Sequence, residues 1–361
     1  MAADSNEIVA ATSVIAVANA TRFSRFDVAT DDSDHHYHKS SKPSDQFTNA
    51  TSAVHKKIMK EWKLLDKNLP DSIYVRVYEH RIDLFRAAIV GAAGTPYHDA
   101  LFFFDVAFPP DYPNRPPQVH YRSYGFRLNP NLYTSGRVCL SLLNTWSGKK
   151  SEKWDPSRST VLQVLLSLQA LVLNEKPYFN EPGFGGWSGR TYWEKKSSGY
   201  NEDVFILCCK TTLCLLRRPP KNFEQFVTGH FHERANAILS ACNAYKSGAM
   251  RVGEYNKPPQ PSSRMSKLEV SRKFKESMEL VYAQLVVAFA KNGASVGNFV
   301  EQLKVEREAK VISSTGAKLA DNTNPAGSGK RFINKLKKIF FMGLKKAKTL
   351  KNPGTPGVSS S

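Results

Sequence analysis

The sequence predicts an α+β fold: an N-terminal helix, a four-stranded antiparallel meander and C-terminal helices, followed by a helical extension. Three observations carry this. Residues 53–65 place Val54, Ile58, Trp62 and Leu65 at helical spacing, with lysines on the opposite face. Four short runs then alternate or stay apolar in the manner of strands, at 73–78, 84–90, 101–108 and 118–121, the first two separated by a charged turn at 79–81. From Ser159 onward the pattern is helical. Ser159 or Thr160 can cap a helix to about residue 173 that is apolar nearly all round and therefore buried, and 204–216 and 223–242 continue the pattern.

Flanking segments read differently. Residues 1–52, rich in Ala, Ser, Thr and Asp, are expected as a mostly disordered arm, ahead of a catalytic core at 53–216. A helical extension is assigned to 217–310, with Pro258-Pro259-Gln260-Pro261-Ser262-Ser263 as an internal linker and an amphipathic helix over 267–291. Residues 311–361 are assigned to a disordered linker and a basic tail. Within that tail, 330–346 contains no acid and aligns Leu336 and Leu344 with Phe332 or Ile333 and Ile339 or Phe340 on one helical face. Such a segment suits an anionic membrane surface, an acidic partner or a nuclear-import signal, and a solvated basic tail is the plain alternative.

With 361 residues, 41% of them hydrophobic, the chain can bury a real core, and a soluble globular protein with tails is expected. No apolar run is long enough to span a bilayer. The mildly apolar stretch 8–20 follows Asp4 and Glu7 rather than a basic segment, which argues against a secretory signal. Five cysteines, at 139, 208, 209, 214 and 242, show neither metal-ligand spacing nor a disulfide framework, so a reducing interior, cytoplasm or nucleus, fits best. His35, His36 and His38 lack further ligands at metal-binding spacing, so no metal is expected. His230 and His232 lack a carboxylate at motif spacing and are read as structural. The formal charge of +19 points to an acidic partner, with no specific nucleic acid expected.

Chemistry concentrates around Cys139. Asn131 stands eight residues before it, after Pro130 and with Gly136 between them. A carrier of activated acyl groups needs such a pair: a sulfur to hold the acyl group as a thioester and an amide to steady the oxyanion when an amine attacks. Taken alone, Cys139 is equally a small buried hydrophobe and Asn131 a brace of its loop.

Further motifs stand in order around this pair. They are Gly94-Thr95-Pro96-Tyr97, the proline-rich 109–117, Thr145-Trp146-Ser147-Gly148 and the apolar run 160–169. Together with Asn129-Pro130-Asn131 and Cys139 they resemble the ubiquitin-conjugating enzymes. Asn129, where that family usually has His, and the long loop from Trp146 to Trp154 resemble the large plant-type subgroup related to the hybrid conjugating/ligase enzymes. The pieces 26–28 and 33–37 look like a segment that precedes the catalytic domain in that subgroup.

The resemblance implies that Cys139 takes ubiquitin's C-terminal carboxyl from an activating enzyme and yields it to a substrate lysine. It implies no cofactor, since ATP is spent upstream. Asn131 would serve the oxyanion, Asn129 would brace the loop in place of the His, and Glu181 would lie near the family's acidic gate and orient the lysine. The plain reading of Glu181 is a solvated turn carboxylate. Implied partners are ubiquitin, the activating enzyme, protein substrates and a ubiquitin ligase, although Asn114-Arg115 replaces the aromatic expected in the ligase-contacting turn. Location is expected in cytoplasm or nucleus, with the tail allowing an endomembrane periphery. The other readings are an inactive variant that holds ubiquitin or a ligase without turnover, and a Cys/His hydrolase, for which no His sits in a matching motif.

Overall fold

The computed structural model describes residues 23–39, 45–255, 269–306 and 308. The linker at 258–263 and the basic run 330–346 lie outside the described residues, as do all of 1–22 and 311–361. Those residues described up to Glu301 form one compact unit.

Its sheet has five strands, one more than the sequence suggests. Helix α1 (Ala53–Asn68) starts at Ser52, whose Oγ accepts from His55 N at 3.0 Å. Strands β2 (Ile73–Tyr78), β3 (Arg81–Val90), β4 (Leu101–Ala107) and β5 (Gln118–Tyr121) form the expected antiparallel meander. The additional strand, β1 (Phe26–Ala29), lies parallel to β2 with Phe26 opposite Val75. Residues 23–39 thus correct the expectation of disorder: four residues of strand are too few for a periodic signal, and their partner lies almost fifty residues away.

Alternation along the strands sorts two faces. Val75, Val77, Phe85, Ala87, Ile89, Phe102, Phe104 and Val106 form one core with Val54, Ile58 and Leu65 of α1. Helix α2 (Val161–Ser167) closes that core with Val161, Val164 and Leu165, its capping box formed by Thr160 and Gln163, and continues as a π-helical turn over Leu168–Val172. Burying each such Val, Leu, Ile or Phe contributes about 1.5–3 kcal/mol.

The second face carries Tyr74, Arg76, Arg86, Phe103 and Asp105, and it is covered as well. Helix α3 (Thr191–Arg217) leads to α4 (Glu224–Ser247), whose entry sets Phe226 4.2 Å from Tyr74 and Phe223 5.2 Å from Phe103, ring centre to ring centre. Phe23 completes the clasp against Phe226, with the Arg76 guanidinium 3.9 Å above its ring. Arg86, fully buried, grips Asp105 through two bonds of 2.6 and 3.1 Å and reaches Asp34 at 2.7 Å. Asp34 in turn accepts from Arg122 at 3.0 Å and from the Lys221 amide at 3.2 Å. Desolvation alone would raise the Asp105 carboxyl; Arg86 outweighs it and holds the group below the usual carboxylate range.

Packing therefore runs straight across the boundary that the sequence suggests at 217. Tyr245 of α4 reinforces it by bonding His98 Nε2 at 2.9 Å, while Arg234 pairs with Asp99 at 2.6 Å. Helix α5 (Arg272–Lys291) buries Phe274, Met278, Tyr282, Leu285 and Phe289 and is capped by Ser271. The three histidines near the N-terminus turn to three partners: His35 to the Phe85 carbonyl, His36 onto the His120 ring, and His38 to Asp32.

Candidate active site

Between β5 and α2 the chain forms a loop whose bends are fixed by backbone bonds. Tyr121 N donates to Gly136 O at 2.8 Å, and Leu132 bridges to both Asn129 and Val138. Gly136 sits at φ +86°, and a Cβ there would fall 2.0 Å from the His120 ring, so no other residue fits. The His120 imidazole, desolvated and stacked on His36, is pushed down to about 4.

This loop brings Asn131 and Cys139 together through a reciprocal clamp. Cys139 N donates to Asn131 O at 2.9 Å, and Asn131 Nδ2 donates to Cys139 O at 2.9 Å. Asn131 is 8% exposed, and its Oδ1 is buried without a hydrogen-bond partner among the described residues. An unmet buried acceptor costs about 1–3 kcal/mol. Flipping the amide would only set oxygen against the Cys139 carbonyl, so the orientation is fixed by that contact.

Cys139 itself is 2% exposed, whereas a thiol that exchanges acyl groups with other proteins has to be reached from solvent. The physical reason lies in its neighbours. Val138 and Leu140 are both anchored in the core, and Thr145 Oγ1 takes the Leu140 amide at 2.9 Å while donating to the Val138 carbonyl at 2.8 Å. Held on both sides, the cysteine lies within the protein skin rather than above it.

Asn129, fully buried, has all four of its amide bonding positions filled. Its Nδ2 donates to Tyr97 Oη at 2.8 Å and Val172 O at 2.7 Å; its Oδ1 accepts from Asn131 N at 2.8 Å and Asn180 Nδ2 at 3.5 Å. Burial pushes the Tyr97 phenol far above its ordinary value, so it stays protonated and donates onward to Leu128 O. Sequence reasoning foresaw a bracing role for Asn129 but assigned none to Tyr97, Thr145 or Asn180. Their partners are mostly main-chain carbonyls, which leave no trace in residue type.

Glu181 stands beside this loop without entering the clamp. Its carboxylate takes Arg127 Nη2 at 3.4 Å, and the same Nη2 donates to Pro130 O at 3.3 Å, so Glu181 reaches the loop through an arginine. The proline-rich turn, with a cis peptide at Tyr112-Pro113, is tied to both helices by a buried carboxylate. Glu61 accepts from Tyr112 Oη at 2.8 Å and from Val161 N at the start of α2 at 3.1 Å, and Trp154 Nε1 donates to Pro113 O. Among the described residues no group of His, Cys, Asp and Glu has the arrangement of a metal site.

Comparison with known proteins gives the family. The family model described as ubiquitin-conjugating enzyme matches residues 57–204. A protein of Arabidopsis thaliana named as ubiquitin-conjugating enzyme E2 38 is 49% identical over 271 residues, covering 75% of this chain and 82% of that one. Another, named as E2 24, is 51% identical over 275 residues, covering 76% of this chain but 30% of its own length. The human protein named dual E2 ubiquitin-conjugating enzyme/E3 ubiquitin-protein ligase BIRC6 is 35% identical over 247 residues, 64% of this chain and 5% of that one. The chain thus spans less than half the length of several relatives it matches, such as 30% and 37% for two from Arabidopsis. On a relative 49% identical that it covers to 82%, and on the match of residues 57–204, the chain belongs to the ubiquitin-conjugating enzyme family.

Proposed function

We propose that the chain carries ubiquitin as a thioester on Cys139 and transfers it to a substrate lysine. The Cys139 thiolate attacks the carbonyl carbon of ubiquitin's thioester on the activating enzyme and expels that enzyme's thiol. A lysine amine then attacks the new thioester, its proton leaves, and the tetrahedral oxyanion collapses to an amide as the Cys139 thiolate departs. Asn131 supplies the amide that stabilises this oxyanion, and Glu181 helps orient the incoming lysine. The observation that carries the reading is the reciprocal clamp, which holds a side-chain amide within one peptide unit of the sulfur. Family relatives support ubiquitin as cargo, and the likeness to a dual conjugating enzyme and ligase supports transfer without a separate ligase.

A charging gel with activating enzyme, ATP and ubiquitin tests it. The expected product is an adduct cleaved by thiol, absent in Cys139→Ala and thiol-resistant in Cys139→Ser. The 2% exposure of Cys139 favours a second reading, a module that holds ubiquitin or a ligase without turnover. Under that reading no adduct forms at all.

A further inference from the structure

Residues 178–200 gather aromatic rings into one cluster outside the buried core, with Tyr192 exposed and Tyr178, Phe184, Trp187 and Trp193 half-buried. Trp187 and Trp193 stack at 4.3 Å with their planes 17° apart, Phe184 lies 4.9 Å from Trp187 and 5.4 Å from Tyr178, and Tyr192 meets Trp193 edge-on at 5.1 Å. None of these five rings is buried, and Tyr192 is 63% exposed. Core packing does not account for them, and a contiguous apolar patch of this kind marks a contact surface.

Two glycines sharpen the point. Gly185 and Gly186 lie between Phe184 and Trp187, neither has a left-handed φ, and a Cβ at either would meet nothing within 4 Å. The fold does not require glycine there. Bare main chain beside aromatic rings is what a second polypeptide needs for close approach.

The shelf is joined to the Cys139 loop. Asn180 donates to Val172 O at 3.2 Å and Asn129 Oδ1 at 3.5 Å, and Glu181 pairs with Arg127, which holds Pro130 O. Its charges are unequally used. Glu181 and Glu194 are occupied by Arg127 and Lys176, whereas the exposed Arg190, Lys195 and Lys196 have no carboxylate partner among the described residues. The open charge along the rim is positive.

We propose that this shelf docks the acceptor polypeptide, selecting lysines flanked by carboxylates and by a bulky apolar side chain. The apolar side chain lies on the Trp187–Trp193 stack, the main chain passes over Gly185 and Gly186, and the carboxylates face Arg190, Lys195 and Lys196. This deepens the reading of Cys139 as a ubiquitin carrier and rests on it.

The experiment is single-turnover discharge of the charged full chain onto three acceptors: free lysine, a lysine peptide flanked by Asp, Glu and Phe, and the same peptide with Arg in place of the acids. The acidic peptide is expected to react about tenfold faster than the basic one. Trp187→Ala and Gly186→Val should each erase most of that advantage while leaving free-lysine discharge within about twofold, since hot-spot contacts carry binding rather than chemistry. Lys195→Glu with Lys196→Glu should reverse the preference. Equal rates for the two peptides, or an equal loss with free lysine, overturns the proposal. If the chain does not charge, the carrier reading fails and the shelf is still decided by titrating the uncharged chain with the acidic peptide and following tryptophan fluorescence. Saturable binding lost in Gly186→Val upholds the shelf; no binding, or binding only to anionic vesicles, overturns it.

Discussion

Asn131 spends its side-chain amide on the carbonyl of Cys139, at 2.9 Å, and leaves its own Oδ1 unmet. The donor proposed for the oxyanion is thus engaged on the nucleophile's own peptide unit in the resting chain. The amide nitrogen carries two hydrogens and gives one to Cys139 O, so the other is the one the proposed oxyanion would draw. Asn131→Ala is expected to charge normally and to discharge to lysine about a hundred- to a thousand-fold more slowly. Single-turnover discharge measures this; equal rates reduce Asn131 to a brace.

Cys139 should react slowly as a thiol in the uncharged chain. At 2% exposure, alkylation requires local opening, and each 1.4 kcal/mol of opening cost slows it by about tenfold. Mass spectrometry of the native chain with iodoacetamide should show Cys139 lagging a peptide thiol, and lagging less in Thr145→Val, which loses the anchor on the Leu140 amide and Val138 carbonyl. Equal reactivity of all these samples would show the sulfur already open.

Glu181→Gln separates a gate from a surface pair. The Arg127 contact is half-exposed, so its loss should cost no more than about 1 kcal/mol. A fall in lysine discharge with the melting temperature unchanged supports the orienting role; no change in either leaves Glu181 a turn carboxylate.

Arg86→Met should be among the most damaging single substitutions. It strands the buried Asp105, while Asp34 keeps Arg122 and the Lys221 amide, and breaking a buried pair on one side costs about 3–5 kcal/mol. Urea melts should show Arg86→Met with Asp105→Leu less destabilised than Arg86→Met alone, because no buried charge is then orphaned between them.

Acid should loosen the N-terminal segment. His120 is neutral when folded down to about pH 4, from desolvation first and His36 second, whereas an unfolded imidazole binds its proton near 6.5. Between those values the unfolded chain holds more protons, so stability falls as pH drops through that window and levels off below it. His120→Gln should flatten the dependence of melting temperature between pH 6.5 and 4; an unchanged slope would place the effect elsewhere.

The sequence made the meander and α1 legible because Val54, Ile58 and Leu65 keep a helical period and the strands a period of two. It hid β1 and the cover of the second sheet face. Arg76, Arg86 and Asp105 look like solvent-facing positions, and only contacts such as Arg86 with Asp34, 52 residues apart, show that they are interior. Cys139 and Asn131 were legible since they sit in one short loop with unusual punctuation. Burial of the sulfur was not, because it arises from Thr145 gripping main-chain groups on either side.

The aromatic clasp of Phe23, Phe223 and Phe226 sets a limit on how this protein can be trimmed. A fragment ending after α3 would lose Phe223 and Phe226 and so strip from Tyr74 and Phe103 the rings that cover them. Such a fragment should clump in solution. Work on a trimmed chain is better begun with residues 23–301 kept whole, since α5 belongs to the same compact unit.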